Sequence, residues 1–302
     1  MSLLDYYNEL SKDQLLIFAV PVFLFAIVIE GIISIKRKLG LYQMPDMWVS
    51  FAMGLFSLIV ELFPKLLAFV AFTYLHEFSP LKDVIQRQWW AWGLLFFADD
   101  FSYYWFHRLN HEVRLFWAGH VNHHSSIHMN MGTAIRQGVG ERLHKFAYWM
   151  WLPLLGFDGL MLFTMMSVKL IYQFFTHTEL IRKFPAWFEY VFNTPSHHRV
   201  HHASNIRYLD CNHAGTLIIW DRMFGSFSEE KTSEPPKYGL TTNLESNNVI
   251  HVTVHEYQAI WKDVRRAKRF SDKLKYIFCP PGWSHDGPDQ RAKTLRSEFK
   301  KQ

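Results

Sequence analysis

Apolar and polar positions alternate in long blocks along this chain. Residues 15–35 are almost wholly apolar, about the length a helix needs to cross a bilayer core. Lys36, Arg37 and Lys38 follow directly. Positive charge beside a span marks the cytoplasmic side, which places the N-terminus outside. A second apolar block covers residues 48–74 and is interrupted by Glu61, Pro64 and Lys65. One long kinked helix is preferred to a tight hairpin, since it keeps the basic loop on the histidine side, and proline is tolerated in a spanning helix whose neighbours satisfy the freed carbonyl. Residues 89–106 form a third span, opened by Trp89, Trp90 and Trp92 as an aromatic belt. Residues 111–144 are too polar for lipid. Residues 147–176 are apolar but broken by Gly156, Asp158 and Gly159, which reads as a short helical hairpin.

From residue 179 onward the pattern is that of a soluble cap. Within it, residues 261–278 mix Trp261, Val264, Leu274, Ile277 and Phe278 with Arg265, Arg266, Lys268 and Arg269. That suits an amphipathic helix on an anionic membrane surface, or a solvated surface helix of the cap. The expected fold is all-α: an integral membrane protein with about four to five membrane segments, the hairpin included, and a cytoplasmic histidine-rich helical cap. The expected division is a membrane domain over residues 1–230 and a cytoplasmic extension over residues 231–302.

Composition sharpens this picture in two places. The formal charge of +5 would suit nucleic acid or an anionic membrane, and the blocked apolar sequence, 49% of residues, decides for the membrane. There are only two cysteines, Cys211 and Cys279, so neither a disulfide framework nor a thiolate zinc site is indicated.

Histidine changes the picture more. Nine of the seventeen histidines fall in three motifs: His107 and His111; His120, His123 and His124; His197, His198, His201 and His202. Residues three or four apart share a helix face, so each motif can aim two or three imidazoles at one spot. Imidazole is a common ligand for Fe, Zn and Cu, and three such motifs supply more ligands than one ion needs. Two neighbouring metals are therefore expected. His177 ends the apolar hairpin, four residues after Gln173, where a further ligand could descend from the membrane. Asp100, Tyr104, His107 and His111 form one helical stripe, which makes Asp100 a candidate to orient a histidine N–H.

Known metal motifs narrow the chemistry. The paired Glu-x-x-His of soluble di-iron bundles is absent, with only Glu141–His144 at that spacing. So are the H-E-x-x-H motif and Gly-rich phosphate loops. A redox di-iron centre that uses O2 to attack a lipid C–H bond fits best. A metal transporter or sensor would place its ligands near the bilayer midplane at a repeat interface, and no repeat is visible. Bis-histidine haem would need single facing histidines inside two spans.

The motif text resembles the fatty acid hydroxylase and sterol desaturase superfamily of membrane non-haem di-iron enzymes. The matching stretches are DFSYYWFHRLNH at residues 100–111, HVNHH at 120–124, TPSHHRVHH at 194–202 and NHAGTLIIWDRMFGSF at 212–227. WAGHVNHHSS, TAIRQ, FTHTE, KYGLT and PGW are most similar to the alkylglycerol monooxygenase branch. The resemblance implies metal ligation by His107, His111, His120, His123, His124, His177, His198, His201 and His202. Gln173 stands where the family often has histidine, and His197 is spare. The resemblance also implies two Fe ions, with Zn an alternative in purified protein, and tetrahydrobiopterin or a redox protein as electron donor. The implied partners are O2, a lipid and the membrane: endoplasmic reticulum in a eukaryote, inner membrane in a bacterium. Glu112, Asp100 and Tyr104 are the catalytic candidates, Glu112 acting on a bound cofactor or behind the ligands. Cleavage of alkylglycerol ethers is the implied reaction. Sterol, fatty acyl, carotenoid and ornithine-lipid oxidation are the alternatives within the superfamily.

Overall fold

The computed structural model describes residues 14–301 together with Asp5 and Asn8; the rest of the polar N-terminal segment lies outside the described residues. All regular structure among these residues is helical, apart from isolated bridges between single residues. The first two helices follow the first two apolar blocks: α1 is Leu15–Lys36 and α2 is Met44–Glu77. Both are long and apolar enough to cross a membrane. Pro64 sits inside α2 without ending it, so this block is one helix rather than a hairpin.

A one-turn helix α3 (Lys82–Ile85) interrupts the next loop before α4, Trp89–Glu112. Val113 is extended and ends α4, and α5 (Arg114–His124) starts at once. This abrupt turn lays the histidines of α4 against those of α5. The expected hairpin is present, but its first arm is irregular. It consists of 3₁₀ turns at Gly140–Leu143 and Lys145–Trp149 and one α turn, α6 (Trp151–Leu154). The indoles explain the irregularity. Trp149 Nε1 donates to Asp99 and Trp151 Nε1 to Ser102, holding the arm by side chains along α4. The turn needs Gly156, whose φ is +99° and where a Cβ would lie 2.9 Å from the Leu81 carbonyl. Asp158 then caps α7 (Gly159–Phe174), accepting from the amides of Leu160 and Met161.

The main core lies between α2, α4 and α7, around Phe72, Leu95, Trp149, Met161 and Leu162. Two acidic residues that looked like interruptions of apolar runs are working parts of it. Glu30, the acidic residue near the end of the first apolar run, is 1% exposed. It accepts from Tyr42 Oη, the Met131 amide and Thr178 Oγ1, tying α1 to two distant loops. Glu61 accepts from Arg142 and Lys145, fixing α2 to the irregular arm.

After α7 come the short helices α8 (Ala186–Val191), α9 (Pro195–His201) and α10 (Ile219–Phe224). The expected single helix over residues 261–278 is two: α11 (Val249–Arg266) and α12 (Phe270–Phe278). The break has a packing cause. Ala267 is buried and extended, which turns α12 back so that Tyr276 lies beneath the Arg114 guanidinium. Arg114 also pairs with Glu256 and Asp263, so α11 and α12 are clamped onto the start of α5. The last helix, α13 (Ala292–Phe299), packs beside the 3₁₀ turn Ile206–Tyr208, with Arg207 over the Phe299 ring.

Candidate metal centre

Helical spacing sorts the histidines into two sets. His107 and His111 are one turn apart on α4, as are His120 and His124 on α5. With His201 they form one set of five. His198 and His202, again one turn apart, join His123 and His177 in a set of four. Within each set one ligand nitrogen per ring lies within 4.8 Å of the others, and all nine residues are buried. Each pair four residues apart stays together. His123 is offset from His124 by one position, about 100° around the helix, so it crosses to the other set. His201 does the same beside His202. The two sets touch where the His124 and His202 rings stack with centroids 4.4 Å apart.

The hydrogen bonds fix which nitrogen faces inward. His107 Nδ1 donates to the His213 carbonyl at 2.8 Å, His123 Nδ1 to that of Arg136 at 3.0 Å and His177 Nδ1 to that of Gln173 at 2.8 Å. His201 Nδ1 donates to the Cys211 carbonyl at 3.0 Å. His120 and His111 turn Nδ1 to carboxylates, Glu141 at 2.7 Å and Asp210 at 3.2 Å. A carbonyl or carboxylate oxygen can only accept, so Nδ1 carries the proton in each and Nε2 keeps its lone pair.

The Nε2 atoms then face one another. His107 and His120 are 3.1 Å apart at Nε2, His123 and His177 3.2 Å, and His177 and His198 2.9 Å. Two such lone pairs at this range repel unless a cation lies between them. His111 Nε2 and His201 Nε2 are buried with no hydrogen-bond partner. Converging, orphaned lone pairs with Nδ1 held by an acceptor are the arrangement of metal ligands. Both sets therefore fit a metal that prefers nitrogen donors.

The electrostatics keep these rings neutral. Burial first, then neighbouring rings, hold His123, His124, His198, His201 and His202 well below the usual imidazole value, and burial brings His177 down to about 4. Burial opposes ionisation of Glu141, yet the His120 ring and the Arg142 guanidinium hold its carboxyl below the usual range. Burial pushes Asp210 up to about 7, against the Arg296 charge.

Several residues singled out in the sequence lie elsewhere. Asp100, expected to orient a histidine N–H, accepts instead from the amides of Thr216 and Leu217 and from Trp220 Nε1. It thereby shapes the segment whose His213 carbonyl holds His107. Tyr104 Oη bonds Ser226 and accepts from Arg108. The Glu112 carboxylate is half-exposed and accepts from Arg108 Nε. None of the three is brought into the histidine sets. His197 faces Glu189 at 3.1 Å, outside both sets. The Gln173 carbonyl serves His177, and its side chain adds no histidine nitrogen there. His213 is buried, with its ring 5.0 Å from that of His111, but joins neither set. Sequence reasoning missed Glu141 and Asp210 as histidine partners. Their signal was present only as acidic residues outside the α-helices, Glu141 in a 3₁₀ turn and Asp210 in a loop.

Residues 92–226, which hold all nine histidines of the two sets, match the fatty acid hydroxylase family model. The chain is 38% identical to alkylglycerol monooxygenase of Xenopus tropicalis over 268 residues, covering 88% of this chain and 59% of the relative. It is 36% identical to the human alkylglycerol monooxygenase, covering 89% of this chain and 60% of the relative. An ornithine lipid hydroxylase of Rhizobium tropici is 28% identical over 47% of this chain and 43% of its own length. The chain thus spans about three fifths of the length of the alkylglycerol monooxygenases just described. No solved structure matches it. The segment that matches the fatty acid hydroxylase family model brings the histidine motifs of α4, α5 and α9 together with the loops that orient them, and it is this segment that is similar to that family.

Proposed function

We propose that this chain is a membrane-associated non-haem di-iron monooxygenase that cleaves alkylglycerol ethers. The observation that carries it is the division of nine buried histidines into two adjoining sets with inward Nε2 lone pairs. Similarity to alkylglycerol monooxygenases over most of the chain supports the substrate class. The nitrogen-rich donor set suits iron, and zinc is an alternative occupant of purified protein. Two bound iron ions would supply the reduction of O2 and the oxidation of a C–H bond. The carbon beside the ether oxygen gains a hydroxyl. One O2, two electrons and two protons enter, and one water leaves. The resulting hemiacetal breaks to a fatty aldehyde and a glycerol derivative.

The chain's own residues supply position and dryness. The Arg136, Gln173, Cys211 and His213 carbonyls, with Glu141 and Asp210, hold the rings and their protons at Nδ1. The aromatic residues around His107 and His111, Tyr103 and Trp117, limit access of water. Glu112, at the end of α4 next to His111, accepts from Arg108 and is the carboxylate we assign to act on a bound cofactor or behind the ligands. Residues 231–302 form the cytoplasmic extension. Its exposed Trp261, Phe270, Leu274 and Phe278 among basic side chains suit contact with an anionic leaflet. On this reading α4 and the α6–α7 hairpin lie in the membrane beside α1 and α2.

The test is incubation of purified protein with a labelled 1-O-alkylglycerol, O2 and tetrahydrobiopterin. Release of labelled fatty aldehyde is expected, and Glu112→Gln should slow it while leaving metal content near that of the parent. If an ornithine lipid, sterol or acyl lipid is oxidised instead, the substrate assignment fails and only the oxygenase reading stands. Sidedness is checked with Ile127→Cys and Glu245→Cys in sealed vesicles, where an impermeant reagent should reach both positions from the same side.

A further inference from the structure

Arg296 lies on α13, seventy residues beyond the end of the family match at residue 226. Its Nη1 donates to Cys211 Sγ at 2.8 Å and lies 3.5 Å from the Asp210 carbonyl oxygen. Asp210 and Cys211 open a short loop that carries acceptors for three rings of the five-histidine set. Asp210 Oδ1 takes the N–H of His111, the Cys211 carbonyl that of His201 and the His213 carbonyl that of His107.

The loop does not hold this shape by its own preference. Asp210 and Asn212 have φ of 48° and 59°, the left-handed region that is uncommon for residues other than glycine and that Asp and Asn tolerate better than most. Such conformations persist only when the surroundings impose them. Asn212 is imposed from the protein body: its side chain donates to the His197 and Ser228 carbonyls and accepts from the Ser228 amide. The amides of His213 and Ala214 are fixed by the Asp221 carboxylate. Asp210 and Cys211 are held instead from α13, by Arg296. The four-histidine set takes its acceptors elsewhere, His123 from Arg136 and His177 from Gln173.

We infer that Arg296 is a positioning residue for one metal of the pair: α13 straps the Asp210–His213 loop so that His107, His111 and His201 present Nε2 to the five-histidine site. The four-histidine site does not depend on it. The inference rests on the two-site reading of the histidines, and the parent protein's metal count tests that reading separately.

The experiment uses the full chain in detergent, loaded with Fe(II) without O2 and measured by elemental analysis. Arg296→Gln should lower metal content by about half, and Arg296→Lys, which keeps a cation at reduced reach, should restore part of it. Adding His198→Ala to Arg296→Gln should remove most of the remaining metal. Adding His107→Ala should remove little more, because both changes strike the same site. In metal-free protein, amide hydrogen exchange over residues 206–214 should quicken in Arg296→Gln while residues 120–136 stay protected. Full metal content in Arg296→Gln overturns the inference. So does a loss that His107→Ala and His198→Ala deepen equally, and so does loss of helix content in both Arg296 variants, which would assign Arg296 to general stability. A parent protein with one metal refutes the two-site reading instead.

Discussion

At the scale of single residues, six of the nine imidazoles are governed by what holds the far nitrogen. Glu141 is the strongest such group outside the spans, 2.7 Å from His120 Nδ1 and itself facing Arg142. Glu141→Gln keeps the shape but removes the charge that favours an N–H at Nδ1. A loss of roughly ten- to a hundred-fold in affinity for the metal of the five-histidine set is expected, as for other groups that orient a ligand. Titration of the metal-free protein with Fe(II) or Zn(II) measures it, and an unchanged affinity would show that the backbone alone sets the ring. Glu30 makes a different case. It touches no ligand but accepts Thr178 Oγ1, next to His177, and the Met131 amide in the loop after α5. Glu30→Ala leaves buried donors unsatisfied, each costing roughly 1–3 kcal/mol. Thermal unfolding should fall by several degrees, and His177 should lose metal before the five-histidine set does.

At the scale of elements, one close approach couples both sets. Helix α5 packs backbone to backbone on residues 138–141: a Cβ at Gly138 would lie 1.6 Å from the Gly119 carbonyl, and one at Gly119 2.6 Å from the Glu141 amide. That segment follows the Arg136 carbonyl used by His123 and carries the Glu141 used by His120. Gly138→Ala must push it off α5, so metal should be lost from both sites together, unlike the one-site loss expected for Arg296. Elemental analysis separates the two outcomes. The contrast also shows what was legible in the sequence. The grouping of the histidines was, because helical period alone places His107 with His111, His120 with His124 and His198 with His202. Their partition was legible in principle, since His123 and His201 sit one position off those pairs. His197 was not separable from its neighbours by spacing; only the fold turns it to Glu189. The orienting carbonyls were illegible, because any residue type supplies one. The structural roles of Glu30 and Glu61 were illegible because their partners lie far along the chain. The split between α11 and α12 was hidden for a similar reason: the buried Ala267 and Tyr276 have meaning only against Arg114.

At the scale of the whole molecule, burying so many imidazoles makes the metal-free protein sensitive to acid. The sign follows from proton counts. In the folded state burial holds His123, His124, His198, His201 and His202 well below the usual 6.5, and His177 at about 4. Above that usual value these rings are neutral in both states and contribute no pH dependence. As pH falls through it, the unfolded chain takes up protons that the folded chain refuses, and stability declines. Each fully refused proton adds about 1.4 kcal/mol per pH unit to the slope. Two carboxyls work in the opposite sense: Asp210 at about 7 and Asp221 at about 6 bind protons in the folded state before they do so unfolded. Six rings outweigh two carboxyls, so the net slope remains destabilising between about pH 6.5 and 4. Bound metal changes the competition, because the Nε2 lone pair it occupies no longer takes a proton and its binding adds to folded-state stability. The melting temperature of metal-free protein should therefore drop markedly between pH 7 and pH 5, and that of metal-loaded protein should hold until a lower pH. Melting curves of both forms across this range are the measurement. A flat profile for the metal-free form would mean that the rings admit protons in the folded state, and that water reaches the histidine sets more freely than their burial allows.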